Sequence, residues 1–553
     1  MNTDSYPPIA DYGFIADCHS AALVSKTGSI DWCCMPRLDS RSCFGRILDW
    51  NNGGYCQIEP TASYKTSRRY MDRTLILETT FQTKSGQARL IDCFTMRRRG
   101  EHDPHRQILR VIEGMRGNVE FKLDIVPRFD FGAIKPWIRC YRKHSHIAIG
   151  GCDGLLISSD VSIKMRHRHD LTVTFTVGAG ERKRFSILHR PPENLDENLT
   201  ETPDPAELDR RLQETIQWWQ NWSDKGRYSG PYAEQMQRSA MVLKGLSNAP
   251  TGAIVAAPTT SLPEAPGGSR NWDYRFSWVR DSSFTVRSLV ELNYVKEADG
   301  FRRFIERSAA GSADQLQILY GIGGERRLHE YEIGDLAGYR GAKPVRIGNA
   351  AESQIQLDAY GELLDLAWHW HCRQRSPDDD YWEFLMELVN KVCDLWQRAD
   401  CGIWEFRGSP RHFGDFAAQQ RLVADDDAVD IAVGPRQLDD VADFGLVALG
   451  VVADPGAERD LEAVLARQLR HVLQHAGRAV GPQPVGRALE QGHVPIDLLD
   501  GRHLVGQGIV PRTHRAERQA LDRAGPVRRV LRLVESGPAG DVAGDDQDHD
   551  CQG

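Results

Sequence analysis

The chain has 553 residues, 41% of them hydrophobic and 26% charged, and a formal net charge of −8 at pH 7. A chain this long exceeds one ordinary hydrophobic core, so we expect a globular protein of two or more domains. The acidic balance argues against a nucleic-acid partner. No apolar run approaches the roughly 18 residues of a bilayer-spanning helix, so we expect no membrane partner.

The N-terminal stretch and the cysteines indicate the compartment. Residues 1–12 are polar and contain proline, unlike a secretory signal. The chain has 12 cysteines, and none forms a C-x-x-C pair. We therefore expect reduced, mostly buried thiols in a cytoplasmic protein without a metal site.

Residues 1–200 have the pattern of a β-rich domain. Leu171 to Val177 alternates between apolar and polar side chains, as a half-buried strand does. Two further strand-like runs, Arg73 to Phe81 and Gln87 to Phe94, flank a turn at Lys84–Gly86 and predict a hairpin. Many short strands with glycine turns favour an antiparallel β-sandwich.

A linker and a helix follow the β-rich domain and fill residues 201–229. Residues 192–204 are rich in Pro, Asp, Glu and Thr, and Asp204 to Trp222 then has helical character with Pro205 near its start. Trp218, Trp219 and Trp222 share one face of this helix, which favours packing over a functional patch.

The pattern is helical from about residue 230. Gln354 to Trp370 and Tyr381 to Trp396 each carry a broad apolar stripe at helical spacing. This periodicity predicts a helical domain over 230–413 and says nothing more specific about its architecture.

Residues 414–553 differ in composition from the rest of the chain. They contain no Lys, Trp, Tyr, Asn or Met, whereas an average stretch of that length holds roughly twenty of these residues. Their dominant residues have codons that begin mostly with G or C. A GC-rich gene concentrates G and C at the third codon position, and a shifted reading frame moves that position to the front of each codon. We interpret this tail as a frameshift product that begins near Phe413. The alternative is a genuine extension, which an amphipathic pattern from Leu461 to Leu473 supports.

The segment Asn271–Asp281 is the strongest functional signal, with four aromatic residues, two arginines and two aspartates in eleven positions. Aromatic rings can cover the C–H face of a sugar, and Arg and Asp side chains can hydrogen-bond its hydroxyls. The alternative interpretation is a helix start that contains a buried ion pair.

Several ordered motifs resemble those of glycoside hydrolase family 15, which contains glucoamylases, glucodextranases and trehalases. The motifs are Ala257–Glu264, Asn271–Asp281, Gly324–Arg327, Gly338–Gly341, Pro344–Asn349 and Gly402–Gly408. Two opening segments, Pro7–Gly13 and Gly28–Trp32, resemble the trehalase-like N-terminal domain of bacterial members. The resemblance runs from about residue 7 to about residue 413, and the tail does not match.

The resemblance implies an (α/α)6 barrel after the sandwich and an inverting, exo-acting α-glucosidase that needs no cofactor. Residues 230–413 have room for about half of the twelve barrel helices, so we expect an incomplete barrel with exposed apolar faces. Trehalose, α-1,4 glucans and α-1,6 glucans are the leading substrates. The sequence does not choose among these α-glucosides, and the oligomeric state stays open.

Glu405 occupies the position of the family's general acid. Its neighbours Ile403 and Trp404 suit that role, because an apolar site raises the pKa of a carboxyl group. The alternative is a glutamate in a surface salt bridge. The general base is not assigned, because the tail offers only Glu462, Glu490 and Glu535, and none of them lies in a family-like context.

The resemblance also implies the substrate-binding residues. Arg280 and Asp281 match the pair that holds hydroxyls of the sugar at the −1 subsite. Trp278 and Trp404 would wall the pocket, and Tyr339 and Arg346 would lie on its +1 side. For six other polar residues, a structural role is at least as strongly favoured as a role in binding or catalysis. They are Asp273, Arg275, Glu325, Arg326, His329 and His412.

Two other functions compete with hydrolysis. The missing base favours a catalytically dead protein that still binds sugar. A glycoside phosphorylase is the other alternative, because phosphate replaces the activated water and one acid suffices. The family motifs argue against the phosphorylase.

Overall fold

The computed structural model describes residues 6–197, 200–371, 377–395, 398–403 and 405–411. The predictions for Trp404, for His412 and for the tail at 414–553 lie outside these residues. One compact unit extends to Ala359 and a second begins at Tyr360, and each is described by itself.

The N-terminal region consists of antiparallel strands, as the sequence predicts. The strands are β1 Tyr12–Ala16, β2 Ala21–Ser25, β3 Ser29–Cys34, β4 Ser42–Phe44, β5 Tyr55–Pro60, β6 Lys65–Tyr70, β7 Leu77–Gln82, β8 Gly86–Phe94, β9 Gln107–Val126, β10 Trp137–Arg142, β11 Ser145–Gly150, β12 Asp153–Ser159, β13 Lys164–Arg166, β14 Asp170–Gly178 and β15 Arg182–His189. The predicted hairpin is confirmed by the pairing of β7 with β8, and the predicted strand at 171–177 lies within β14.

Strand β9 belongs to both halves of this β-structure. Its first half pairs with β8 and β15, and its second half pairs with β5 and β14. The β9 backbone has a positive φ of 62° at Gly117, between the two halves. A Cβ atom there would lie 2.2 Å from the Ser85 carbonyl oxygen, so glycine is the residue that fits this position.

The core of the N-terminal region lies between these two groups of strands. One buried cluster combines residues of strands β3 and β5, such as Ile30 and Ile58, with residues of strands β8 and β15, such as Leu90 and Phe185. The inward-facing residues alternate with more exposed ones along β5, which is the pattern of a strand with one buried face.

Two helices follow the N-terminal β-region, α1 Pro192–Asp196 and α2 Pro205–Ser223. The Asp204 side chain accepts a hydrogen bond from the Glu207 backbone N–H and caps α2, with Pro205 at its first position. The apolar side of α2 covers the sheet through Leu208 and Leu212. At its far end Trp222 stacks on Tyr294 with ring centroids 4.0 Å apart, which confirms the packing role.

The rest of the described chain is helical with short strands and turns. The helices are α3 Ala233–Gly245, α4 Val279–Glu291, α5 Val295–Ser308, α6 Asp358–His371 and α7 Asp379–Leu395. The short strands are β16 Ser277–Trp278, β17 Leu319–Tyr320, β18 Tyr331–Glu332 and β19 Arg346–Ile347, and single 3-10 turns lie at Ile9–Asp11, Ala313–Gln315, Tyr339–Gly341 and Ala350–Ser353. These helices confirm a helical region, and the (α/α)6 barrel stays a prediction.

In the described part of the chain, no helix combines the length and the apolar content that a bilayer crossing requires.

Candidate active site

Hydrogen bonds connect the loops that carry the sequence motifs of the first unit. The Ser261 N–H donates to the Trp272 carbonyl at 2.8 Å, and the Arg346 N–H donates to the Ser261 hydroxyl at 2.7 Å. The Gly348 N–H donates to the Asp273 carboxylate at 3.2 Å. Three motifs that are far apart in sequence therefore form one connected group around the segment Asn271–Asp281.

Asp273 and Arg275 form an internal ion pair within that group. Their side chains are 0% and 1% exposed, and two parallel hydrogen bonds of 2.9 and 2.7 Å join them. Burial alone would lower the pKa of Arg275, but the charge of Asp273 and its hydrogen bonds raise it above the usual value. The ion pair is therefore part of the protein interior. This agrees with the alternative interpretation of the segment, a buried ion pair near a helix start.

The same arginine also joins this motif to the N-terminal β-region. Its Nη1 atom donates to the Ser40 carbonyl at 2.6 Å, and its guanidinium lies 5.3 Å from the Phe131 ring centroid. Ser40 follows β3 and Phe131 follows β9, so both lie in loops of the N-terminal β-region. Neither residue has a local sequence signal for this contact, since Ser40 lies in a mixed run of Arg, Leu, Asp and Ser residues.

Arg280 and Asp281 lie in the first turn of α4, and their environment differs from that of the buried pair. The Arg280 Nη2 atom is 3.1 Å from the Asp281 Oδ2 atom, with side-chain exposures of 17% and 42%. A carboxylate at this end of a helix interacts favourably with the helix dipole. The α4 start is fixed by Val279, whose N–H donates to the Ile318 carbonyl at 2.9 Å. A partly open ion pair on a rigid turn can exchange hydrogen bonds with vicinal hydroxyls of a ligand.

Trp278 precedes this turn and is only 2% exposed. Its ring lies 6.0 Å from the Tyr274 ring and 6.4 Å from the Phe276 ring. Among the described residues, its Nε1 atom has no hydrogen-bond partner. Trp278 thus lies in an aromatic cluster with Tyr274 and Phe276, just before the Arg280–Asp281 turn in sequence. A direct contact with substrate stays a prediction.

Arg346 lies over the Trp272 ring, with its guanidinium carbon 4.6 Å from the ring centroid. The Arg346 Nη1 atom donates to the Ser269 carbonyl at 2.8 Å, and Glu330 and Glu332 approach the same guanidinium at 3.6 and 3.4 Å. This cation is 13% exposed and is held on several sides. The structure thus brings Arg346 to the signature segment, and its role in binding stays a prediction.

Tyr339 is directed toward the N-terminal segment. It is 6% exposed, and its hydroxyl donates to the Pro7 carbonyl at 2.9 Å. Its ring packs edge-on against Tyr6 at 5.4 Å. Burial raises the pKa of Tyr339. This environment is that of a core tyrosine, and a +1-side contact for Tyr339 stays a prediction.

The motif at Gly324–Arg327 forms a turn that contacts the N-terminal β-region. The Glu325 carboxylate accepts from the Gly323 N–H at 2.8 Å and from Arg37 at 3.0 Å. The Arg326 Nη1 atom donates to the Ser308 carbonyl at 2.9 Å. These contacts fit the structural role that the sequence favoured for both residues.

Glu405 belongs to the second unit, where it lies in a turn bounded by the pairing of Asp400 with Arg411. Its N–H donates to the Gly402 carbonyl at 3.1 Å, and its φ is +55°. The side chain is half-buried. A non-glycine residue in the left-handed region costs on the order of 1 kcal/mol, and such strain concentrates at functional sites.

Within the described ranges, no group of three or more His, Cys, Asp or Glu side chains could hold a metal ion. The candidate residues of the first unit are thus paired charges and aromatic rings, and the Glu405 turn of the second unit is described by itself.

Comparison with known proteins identifies the family. Residues 230–436 match the model of glycosyl hydrolases family 15, and residues 1–174 match the model described as trehalase-like, N-terminal. The family match thus continues past Phe413, the predicted junction. The chain belongs to glycosyl hydrolase family 15 and carries a trehalase-like N-terminal domain.

Curated relatives agree with these matches. A trehalase of Mycolicibacterium smegmatis is 37% identical over 435 residues, which cover 74% of this chain and 64% of that protein. Trehalase 1 of Sulfolobus acidocaldarius is 34% identical over 414 residues, which cover 72% of this chain and 67% of that protein. The chain thus spans slightly less than two thirds of the Mycolicibacterium relative.

A solved bacterial glucoamylase in complex with acarbose is similar to this chain with a TM-score of 0.49 and 12% identity. The superposition covers 71% of this chain and 59% of that one.

Proposed function

We propose that this chain is built to hydrolyse an α-glucosidic bond as an inverting, exo-acting α-glucosidase, with trehalose as the leading substrate. Family membership and the relatives named trehalases support this proposal. The observation that carries it is the Arg280–Asp281 pair, which is half-open on the fixed first turn of α4. Such a pair suits two neighbouring hydroxyls of a glucosyl ring.

In the proposed reaction, water attacks the anomeric carbon while the bond to the glycosidic oxygen breaks. Glu405 donates its proton to the departing oxygen, and a base on the opposite face takes a proton from the water. The two carboxyl groups of an inverting enzyme lie roughly 6.5–9.5 Å apart to leave room for that water. We assign Glu405 as the acid from its motif and its half-buried turn, and we leave the base unassigned.

The proposal includes the architecture that this chemistry requires. The catalytic domain would be an (α/α)6 barrel that begins near residue 230, after a sandwich at 1–200 and a linker helix at 201–229. Residues 414–553 would be the product of a shifted reading frame. The composition of the tail supports this interpretation, and resequencing the gene around the Phe413 codon would test it directly.

The decisive experiment compares the chain as given with a version whose downstream frame is restored. We expect the chain as given to release little glucose from trehalose or maltose, and the restored version to be active. In the restored version, Glu405→Gln should lower kcat by about 10²–10⁴-fold, because the leaving oxygen loses its proton donor.

The matched control is Glu383→Gln, which makes the same chemical change at an exposed position of α7. It should leave kcat unchanged. Unchanged turnover in Glu405→Gln would remove this residue from the acid role. Robust glucose release by the chain as given would overturn the frameshift interpretation.

A second candidate is sugar binding without turnover. It is favoured by the tail, which offers no carboxylate in a family-like context for the base. Titration of the chain as given with trehalose, with heat release as the readout, distinguishes this candidate from an unfolded or inert chain. Formation of glucose 1-phosphate that depends on added phosphate would instead identify a phosphorylase.

A further inference from the structure

Four arginines gather where the β8–β9 connection meets the end of β15 and the helix α2. Arg97 follows β8, Arg106 precedes β9, Arg190 follows β15, and Arg211 lies on α2. Each of them is half-buried. No catalytic or substrate-binding role was predicted for any of these residues, so the cluster is separate from the motifs of the candidate active site.

His105 lies at the centre of this cluster. Its carbonyl accepts a 3.0 Å hydrogen bond from the Arg190 Nη1 atom, and its Nδ1 atom lies 3.1 Å from the Thr95 hydroxyl. Burial lowers the pKa of His105 to about 3, and the positive charges of Arg211, Arg97 and Arg190 contribute to that shift. The histidine is therefore neutral at pH 7, and the arginines lie close enough to act on it together.

Two of the guanidiniums are held in place by neutral acceptors. Arg190 Nη1 also donates to the His189 carbonyl at 2.8 Å. Arg211 Nη1 donates to the Gln107 Oε1 atom at 2.9 Å, and Gln107 Nε2 in turn donates to the Ser186 hydroxyl at 2.6 Å. Arg190 gains no counter-charge through these contacts, whereas Arg211 also pairs with the Glu207 carboxylate at 2.7 Å.

The carboxylates near the cluster do not balance its charge. Asp103 pairs with Arg97 at 2.8 Å but is 77% exposed, and Glu207 is shared between Arg211 and Arg210. Among the described residues, the Arg106 guanidinium has no hydrogen-bond or ion-pair partner. The pKa of Arg190 is lowered by burial and then by the charges of Arg106 and Arg211. The cluster therefore holds an excess of positive charge in a half-buried place.

We propose that this arginine cluster is a binding site for a phosphate dianion. Guanidinium groups match the oxygens of phosphate in bidentate geometry, and several converging arginines are the usual device for phosphate recognition. Arg106 would be the side chain that gains a partner on binding, while Arg190 and Arg211 are already oriented. The bound anion would hold the β8–β9 connection against α2.

The phosphate could be free or part of a monoester, and the shared chemistry is the tetrahedral dianion. Inorganic phosphate and glucose 6-phosphate are therefore two arms of one experiment. Tighter binding of glucose 6-phosphate would assign the site to a sugar phosphate. Equal or tighter binding of inorganic phosphate would assign it to the free ion.

The test uses the full chain and measures binding by calorimetry and by thermal unfolding. Sodium phosphate is compared with sodium chloride at equal ionic strength, because unspecific screening acts equally in both. We expect one saturable phosphate site per chain and a rise in Tm of several degrees at high occupancy. A response to phosphate no larger than the response to chloride would overturn the proposal.

Variants then assign the binding to the cluster. Arg106→Ala removes no contact described in the free protein, so it should fold normally and weaken phosphate binding by about tenfold or more. Arg97→Ala should weaken binding in the same direction. The matched control is Arg116→Ala, at an exposed position further along β9, which should bind phosphate as the parent does. Full phosphate affinity in both Arg97→Ala and Arg106→Ala would also overturn the proposal.

Discussion

Two Arg–Asp pairs lie in the nine-residue segment 273–281 and have different environments. Asp273 and Arg275 are almost fully buried and bound in parallel, whereas Arg280 and Asp281 meet through one 3.1 Å contact with Asp281 42% exposed. The residue types are the same, so composition cannot separate their roles. Burial separates them, because a sealed pair has no open side for a ligand and a half-open pair does.

The largest effect that this contrast predicts is on stability. Arg275→Ala would leave the Asp273 carboxylate buried without its counter-charge, which typically costs about 3–5 kcal/mol in free energy of unfolding. Arg280→Ala should cost less than about 1 kcal/mol, because the remaining carboxylate is partly hydrated. Denaturant unfolding followed by tryptophan fluorescence measures both values. Equal losses in the two variants would remove the distinction between the pairs.

The next effect is on catalysis and concerns the half-open pair. In the frame-restored protein, Asp281→Asn should lower kcat/KM for trehalose by about 10–100-fold, because a charged acceptor for a sugar hydroxyl is lost. The thermal stability of this variant should change little. Asp72→Asn serves as the control, at a carboxylate of the N-terminal β-region that is 82% exposed. An Asp281→Asn variant with parental kcat/KM would contradict a substrate-binding role for the pair.

The smallest effect extends the comparison to a third, more exposed pair, Arg37 and Glu325. Their side chains are 41% and 47% exposed, so Arg37→Ala should cost at most about 1 kcal/mol at pH 7. Burial raises the pKa of Glu325, but the backbone N–H groups and Arg37 together lower it below its usual value of 4.5.

A lowered folded-state pKa stabilises the protein above the usual value, and that contribution is lost as pH falls through the lowered one. The difference in Tm between the parent and Arg37→Ala should therefore be largest near neutral pH and should shrink below about pH 4.5. Thermal unfolding at a series of pH values checks this. A difference that stays constant into the acid range would show that neither Glu325 nor Asp39, which also pairs with Arg37 at 2.7 Å, is responsible.

Local features of the fold were predictable from the sequence. The alternation at 171–177 and the turn at Lys84–Gly86 depend on neighbouring residues; the first lies in strand β14, and the second connects the paired strands β7 and β8. The start of α2 was equally clear, because Asp204 and Pro205 are a strong capping pair. Helix α6 begins at Asp358, four residues later than the apolar stripe suggested, because a 3-10 turn at Ala350–Ser353 precedes it.

The candidate site was predictable only in part, because its long-range contacts have no local signature. The resemblance to the family led to the Arg280–Asp281 turn and to Arg346 beside Trp272. It could not decide between a ligand site and an ion pair for Asp273 and Arg275, since burial depends on the whole fold. The bond from Arg275 to the Ser40 carbonyl joins residues 235 positions apart, and no pattern near either residue predicts it.

The 20-residue strand β9 has a consequence for how the N-terminal region must assemble. One continuous strand is the central pairing partner on both sides of Gly117. Each half of the β-structure therefore needs β9 in its folded position, and folding of one half helps to place β9 for the other. Ordering should then pass from one half to the other along this single segment of covalent chain. The region should behave as one cooperative unit, in which a cut or an insertion inside β9 disables both halves at once.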